Sequence, residues 1–143
     1  MQILSSARCF NGIQRFYQHD SVVIGLPMKF GVYLPPQALA GEQCLALFYL
    51  AGLTCTEETF AIKAHAQQIA AELGVILISP DTSPRGEDVA KGDSWDLGQG
   101  AGFYVDATQA PWAPHYRMES YLCDELYSLI TKTFNISRIS IMG

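Results

Sequence analysis

Positive charge is scarce: nine Lys and Arg stand scattered against fourteen Asp and Glu, giving a net charge of -5 and a pI near 5.0. Binding to a polyanion rests on clustered cations, so nucleic acid is set aside as a partner. No apolar run is long enough to span a bilayer, which excludes a membrane helix. Met1-Gln2-Ile3-Leu4-Ser5-Ser6-Ala7-Arg8 is too short in its apolar part for a secretory leader, so an unexported, cytoplasmic protein is expected. Cysteine is sparse and irregular, at Cys9, Cys44, Cys55 and Cys123, a usage typical of free thiols in a reducing compartment. His19 and His65 lack a second His or a Cys at metal spacing, so they read as surface or helix-face residues and not as metal ligands. Internal repeats and low-complexity tracts are absent. What is present, 49% hydrophobic and 16% charged positions in 143 residues, suffices for one ordinary core, hence one domain or part of one.

The pattern along the chain points to an α/β sheet. Gly12 to Ser21 and Met28 to Leu34 read as two antiparallel strands, the second alternating Met28, Phe30, Val32, Leu34 against Lys29, Gly31, Tyr33. Pro35-Pro36 ends that strand by removing donors, and Gln37 to Gln43 reads as a surface connection. Cys44 to Leu50 is continuously apolar, as in a strand covered on both faces. After a loop, Thr56 is placed to cap a helix running to Leu73, with Ile62, Ala66, Ile69, Ala70 and Leu73 on one face and Gly74 as C-cap. Val75 to Ser79 is a second buried strand, closed by Pro80. Asp81 to Pro114 is a long excursion rich in Gly, Pro, Asp and Ser, and loops of that length are uncommon unless they have a task. Helical spacing returns from Tyr116 to Phe134, and Arg138 to Met142 starts a third buried strand. Right-handed crossovers would put the last three strands in one parallel sheet flanked by helices. The final strand has neither crossover helix nor neighbour, so its apolar face and polar edge are expected to lie bare, as in a fragment of a longer fold.

Chemistry has two candidate places. Ala51-Gly52-Leu53-Thr54-Cys55 follows a buried strand and precedes a helix, and backbone N–H groups in such a turn can point at negative charge developing on a substrate oxygen. A tight turn with Gly52 there for geometry alone is the other reading. Ile139-Ser140-Ile141-Met142-Gly143 is a strand running into glycine, which is how a G-x-S-x-G nucleophile elbow begins. Gly98-Gln99-Gly100-Ala101-Gly102 neither follows a strand nor opens a helix, so close backbone packing is expected there and not phosphate binding. Ser83, Asp96 or Asp106, and His115 occur in triad order, but Ser83-Pro84 lacks the flanking glycines of a nucleophile turn. Asp81 and Arg85 are expected to pair and shape their loop. Cys55, at a helix N-terminus, reads equally as a reactive thiol and as a small packing residue.

Three stretches taken together resemble the S-formylglutathione hydrolase (esterase D) family: Gly52-Leu53-Thr54-Cys55-Thr56-Glu57, Ser79-Pro80-Asp81-Thr82-Ser83-Pro84-Arg85-Gly86, and Ser94-Trp95-Asp96-Leu97-Gly98-Gln99-Gly100-Ala101-Gly102-Phe103-Tyr104-Val105-Asp106-Ala107-Thr108. The likeness runs essentially end to end. It implies an α/β-hydrolase fold, a mostly parallel sheet flanked by helices, of which residues 1–143 are the N-terminal part, stopping just before the nucleophile elbow. It also implies a cytoplasmic, frequently dimeric enzyme without cofactor that hydrolyses S-formylglutathione to formate and glutathione. Short-chain carboxylic esters are the alternative substrates, and a non-catalytic remnant or half of a split assembly is the rival from another class. On the family pattern Leu53 supplies a backbone oxyanion donor and Gly143 opens the elbow, while Gly52, Thr54, Cys55, Trp95 and Phe103 adjoin substrate. The family continues after this glycine into His-Ser-Met-Gly-Gly, so the catalytic Ser, Asp and His all lie outside these residues and the 143 residues alone are expected to be inert. His65 stands where a small residue such as glycine is usual, Thr59 where Asn is common, and Tyr49 where Trp is common.

Overall fold

In a computed structural model describing residues 1–143, the alternation of Met28, Phe30, Val32 and Leu34 becomes the inward face of a central strand. Six strands form one sheet in the order β1-β2-β3-β5-β4-β6: β1 Gln2–Cys9, β2 Gly12–Asp20, β3 Pro27–Leu34, β4 Cys44–Tyr49, β5 Val75–Pro80 and β6 Ile136–Met142. The sheet is mixed. Strands β1, β2, β3 and β5 pair antiparallel in succession, while β4 pairs parallel with both β5 and β6, the expected parallel trio. Strand β1 escaped the sequence reading because all but its last residue are exposed, and backbone pairing with β2 holds it where no hydrophobic pattern could announce it.

Helices cover both faces. On one face α4 (Met118–Ser120), a π-helical segment Tyr121–Leu126 and α5 (Tyr127–Thr133) follow one another without interruption, burying Met118, Tyr121, Leu122, Leu126 and Ile130 against the even-numbered residues of β3 and β4. On the other face α2 (Thr59–Lys63) and α3 (Gln67–Leu73) contribute Phe60 and Ala70 to a smaller cluster with Tyr33 and Leu77. The connection after Pro35 holds a one-turn helix, α1 (Pro36–Leu39). The segment from Asp81 to Arg117 has no regular element beyond an isolated Asp106–Arg117 bridge. No helix is long and apolar enough to cross a membrane.

Four expectations need correction. The single helix from Thr56 to Leu73 is two helices, broken at Ala64 to Ala66, where His65 adopts φ +51°. Ile62 before the break and Ile69 and Leu73 after it all face solvent, while Gln67 turns inward, its amide donating to the Ala61 carbonyl at 2.9 Å across the break. Thr56 is not the cap: Glu58 holds that position without a side-chain bond, and the Thr56 hydroxyl accepts from the Glu58 N–H while Thr59 accepts from the Thr56 N–H in the turn that precedes the helix. Gly74 closes α3 at φ +70°, as expected. Strand β4 is covered fully on one face only, with Leu45 half exposed. His19 is no surface residue: half-buried on β2, it stacks on Tyr121 and its Nε2 lies 3.1 Å from the Tyr121 hydroxyl. Strand β6 is exposed along most of its length, paired on one edge only, and bares Ile141 and Met142.

The left-handed backbone at His65 explains why a small residue suits that position, since a side chain there costs about 1–2 kcal/mol of steric strain. Replacing His65 by Gly is expected to stabilise the fold by about 0.5–1 kcal/mol after glycine's greater unfolded-state entropy is subtracted, read as a higher denaturation midpoint. Burial holds the His19 pKa below its ordinary value of 6.5, with Glu125 partly opposing. A base so depressed binds its proton more readily when unfolded, so its stability contribution is present above pH 6.5 and is lost as pH falls below it. His19→Gln should flatten that part of a Tm-against-pH curve, and an unchanged slope would show that other groups control it.

Candidate functional site

Strand β4 ends at Tyr49, and the next residues turn sharply toward α2. Two successive peptide planes in that turn have their carbonyls occupied and their amides free. The Ala51 carbonyl accepts from the Tyr104 hydroxyl at 2.6 Å, and the Gly52 carbonyl accepts from the Cys55 N–H at 3.2 Å. The N–H groups of Gly52 and Leu53 have no acceptor in the protein. A trans peptide directs its N–H opposite to its carbonyl, so anchoring each carbonyl inward turns the following amide away from the protein body. Free amides of this kind suit an anionic oxygen, and an unpaired polar group that is not fully solvated costs about 1–3 kcal/mol unless a ligand satisfies it. Gly52 and Thr54 are exposed, whereas Leu53 and Cys55 are half-buried.

The excursion after β5 holds this turn from behind. Asp81, 4% exposed, receives two bonds from Arg85, 2.8 Å from Nε and 2.9 Å from a terminal nitrogen. The same guanidinium donates to the Cys55 carbonyl at 3.0 Å, and the Thr82 hydroxyl donates to that carbonyl at 2.6 Å. The expected Asp81–Arg85 pair therefore exists and shapes the turn as well as its own loop. Hydrogen bonding to Asp81 raises the Arg85 pKa further, against the desolvation that opposes it. Burial, reinforced by Asp81, pushes the Glu57 carboxyl up from its usual range.

The glycine run packs as its pattern suggested. The Gly100 carbonyl accepts the Thr54 N–H at 2.8 Å, with Thr54 itself at φ +66°. Gly102, at φ +75°, lies so near Gly52 that an added Cβ would stand 3.1 Å from its carbonyl carbon. Gly102 and Tyr104 thus face the turn. Phe103 and Val105 instead line an apolar recess with Leu97 and Trp112 on the other side of the segment. Trp95 is 73% exposed and outside that recess. Gly143 sits beside the turn: the Leu50 N–H donates to the Met142 carbonyl at 2.8 Å, and an added Cβ at 143 would meet the Leu50 carbonyl oxygen. Turn and glycine therefore leave the same ends of adjacent parallel strands.

The residues in triad order do not meet. Ser83 is buried, accepting from the Gly100 N–H and donating to the Pro84 carbonyl; Asp106 binds Ser120; His115 donates from Nδ1 to the Ile24 carbonyl. No cluster of three His, Cys, Asp or Glu side chains is arranged to hold a metal, and the four cysteines are free. Thr82 and Tyr104 were not singled out from the sequence. Tyr104 had one readable signal, its place two residues after a glycine run already expected to pack closely.

Residues 21–143 match the protein family described as "Putative esterase". S-formylglutathione hydrolase of Mus musculus is 52% identical over 143 residues, covering 98% of this chain and 50% of the mouse protein. An S-formylglutathione hydrolase structure from Agrobacterium tumefaciens superposes with a TM-score of 0.95 at 44% identity, over 99% of this chain and 52% of that one. A ferulic acid esterase shares the fold at a TM-score of 0.69 and 18% identity, over 93% of this chain and 50% of its own. The structural relatives are α/β-hydrolase esterases, as the family resemblance implied, and the chain spans about half the length of the relatives it matches.

The ion pair behind the turn gives a direct test. Arg85→Leu would leave the buried Asp81 carboxylate unpaired and release the Cys55 carbonyl from its cation. Breaking a buried pair costs about 3–5 kcal/mol, and because the Arg85 side chain is 38% exposed we expect roughly 1–3 kcal/mol by denaturant titration. Adding Asp81→Asn to that variant should recover part of the loss; full additivity of the two substitutions would contradict the coupling.

Proposed function

The chain belongs to the esterase family, and from that premise we propose that residues 1–143 form the oxyanion-binding half of a serine hydrolase acting on S-formylglutathione. The observation that carries this reading is the pair of unpaired amides at Gly52 and Leu53, next to the glycine that ends β6. The serine, histidine and aspartate come from polypeptide outside these residues, and the serine follows Gly143 at the elbow. Its hydroxyl, giving up a proton to the histidine, attacks the formyl carbonyl carbon. The carbonyl oxygen, now anionic, lodges on the Leu53 N–H and on the amide after the serine. Collapse expels glutathione as the thiol, protonated by the histidine, and water then releases formate by the same two steps in reverse roles. Gly52 admits the substrate closely, Thr54 and Cys55 form the adjoining wall, and the Trp95–Phe103 stretch supports the site from outside. A cytoplasmic homodimer serving formaldehyde detoxification, with no metal or organic cofactor, fits this assignment.

The test is a chimera in which residues 1–143 replace the matching half of the mouse enzyme. Hydrolysis of S-formylglutathione well above that of p-nitrophenyl acetate is expected; preference for the simple ester would move the substrate class to short-chain carboxylic esters. A folded chimera inert toward both would end the hydrolase reading. Residues 1–143 alone are expected to turn over neither.

A further inference from the structure

We propose that Tyr104 is a positioning residue for the oxyanion turn, its hydrogen bond to the Ala51 carbonyl fixing the peptide plane next to the one that presents the Leu53 N–H. The inference rests on the hydrolase reading above and adds the anchor that holds the peptide plane before the Leu53 donor. Ala51 and Gly52 share one trans peptide plane, so the atom that fixes the Ala51 carbonyl also fixes the Gly52 N–H on the opposite side. The Tyr104 hydroxyl is the acceptor's partner at 2.6 Å, and no other donor reaches that oxygen. The remaining anchors act further along: Cys55 N–H on the Gly52 carbonyl, Gly100 carbonyl on the Thr54 N–H, and Arg85 with Thr82 on the Cys55 carbonyl. Without Tyr104 the first plane of the turn is free to rotate at exposed Gly52, where nothing stands within 4 Å of the space a Cβ would fill.

Three features make Tyr104 suited to this task. Gly102, packed on Gly52, brings the segment close enough for a phenol to reach the carbonyl. The residue is half-buried, so its bond is shielded from competing water. Burial, with Asp81 and Cys55 adding to it, pushes the phenol pKa up, and the hydroxyl remains a donor across the whole working range of pH. Preorganised donors stabilise developing charge because they need not reorient at the moment of reaction, and a donor merely loosened loses part of that advantage.

Tyr104→Phe removes the hydroxyl and keeps the ring. In the chimera, kcat toward S-formylglutathione should fall about tenfold, less than the 10²–10³ of a donor lost outright, with KM within about twofold. In ¹H–¹⁵N spectra the Gly52 and Leu53 amide signals should shift and exchange faster. Tyr33→Phe serves as comparison, since its hydroxyl also donates to a backbone carbonyl, that of Cys9 at the far end of the sheet; it should lower Tm and leave kcat unchanged. A Tyr104→Phe enzyme with kcat within twofold of the parent, or with unmoved Gly52 and Leu53 signals, overturns the proposal, and a lowered Tm with intact kcat assigns Tyr104 a structural role only. A parent chimera without activity removes the functional reading itself, which is a different result from an active enzyme that tolerates the substitution.

Discussion

A carboxylate that cannot be left alone organises this half of the molecule. Asp81 directly follows the buried strand β5 and is almost wholly enclosed, where an unpaired charge would cost several kcal/mol. Arg85, four residues on, must fold back over it, and that requirement sets the first bend of the long excursion. The guanidinium has donors to spare, and its planar fork allows one nitrogen to serve Asp81 and Cys55 together. A need for charge compensation at one strand end thereby becomes a geometric constraint on the turn at the end of the neighbouring strand. Gly100 and Gly102 repeat the coupling through the backbone, and Tyr104 through a phenol.

The parallel trio explains why these pieces converge. Strands β5, β4 and β6 all point the same way, so their following loops gather along one rim of the sheet. The antiparallel strands β1 to β3 widen the sheet without adding loops that reach the turn. Their contribution is the core: Phe30 and Val32 are fully enclosed between sheet and helix, and Tyr17 stacks on Phe30 at 5.3 Å. At roughly 1.5–3 kcal/mol for each such side chain, this burial supplies the rigidity against which sub-ångström placement of an amide has meaning.

What could be read beforehand follows from what leaves a mark on residue type. Strands covered on a face show their alternation, as β3 does, and Gly74 announces a helix end because few other residues tolerate its backbone angles. The Gly98–Gly102 run marked close packing for the same reason. Strand β1 left no trace because exposed edge strands need only backbone bonds. The broken helix misled because Ile62, Ile69 and Leu73 fall at helical spacing yet all face solvent, and the break between the first and the other two falls at His65, a residue whose type gives no warning of a left-handed angle. Periodicity assumes an uninterrupted helix, and here that assumption failed. Tyr104 was hidden for another reason: a hydroxyl bonding a carbonyl 53 residues away has no local signature.

The same distinction bears on how such a site tolerates change. On the proposed reading its working groups are peptide N–H donors, which every residue but proline possesses, so the side chain at Leu53 is free of any role as donor. What must persist are the parts that orient the planes: glycines at left-handed or crowded positions, the buried ion pair, and the hydroxyls that reach carbonyls. Tyr49 stacks on Phe60 with ring centroids 4.2 Å apart, a contact in which side-chain volume matters more than identity. Substitution should therefore be permissive along the face of the turn and restrictive behind it, so that the most constrained residues of the site are ones that no substrate atom touches.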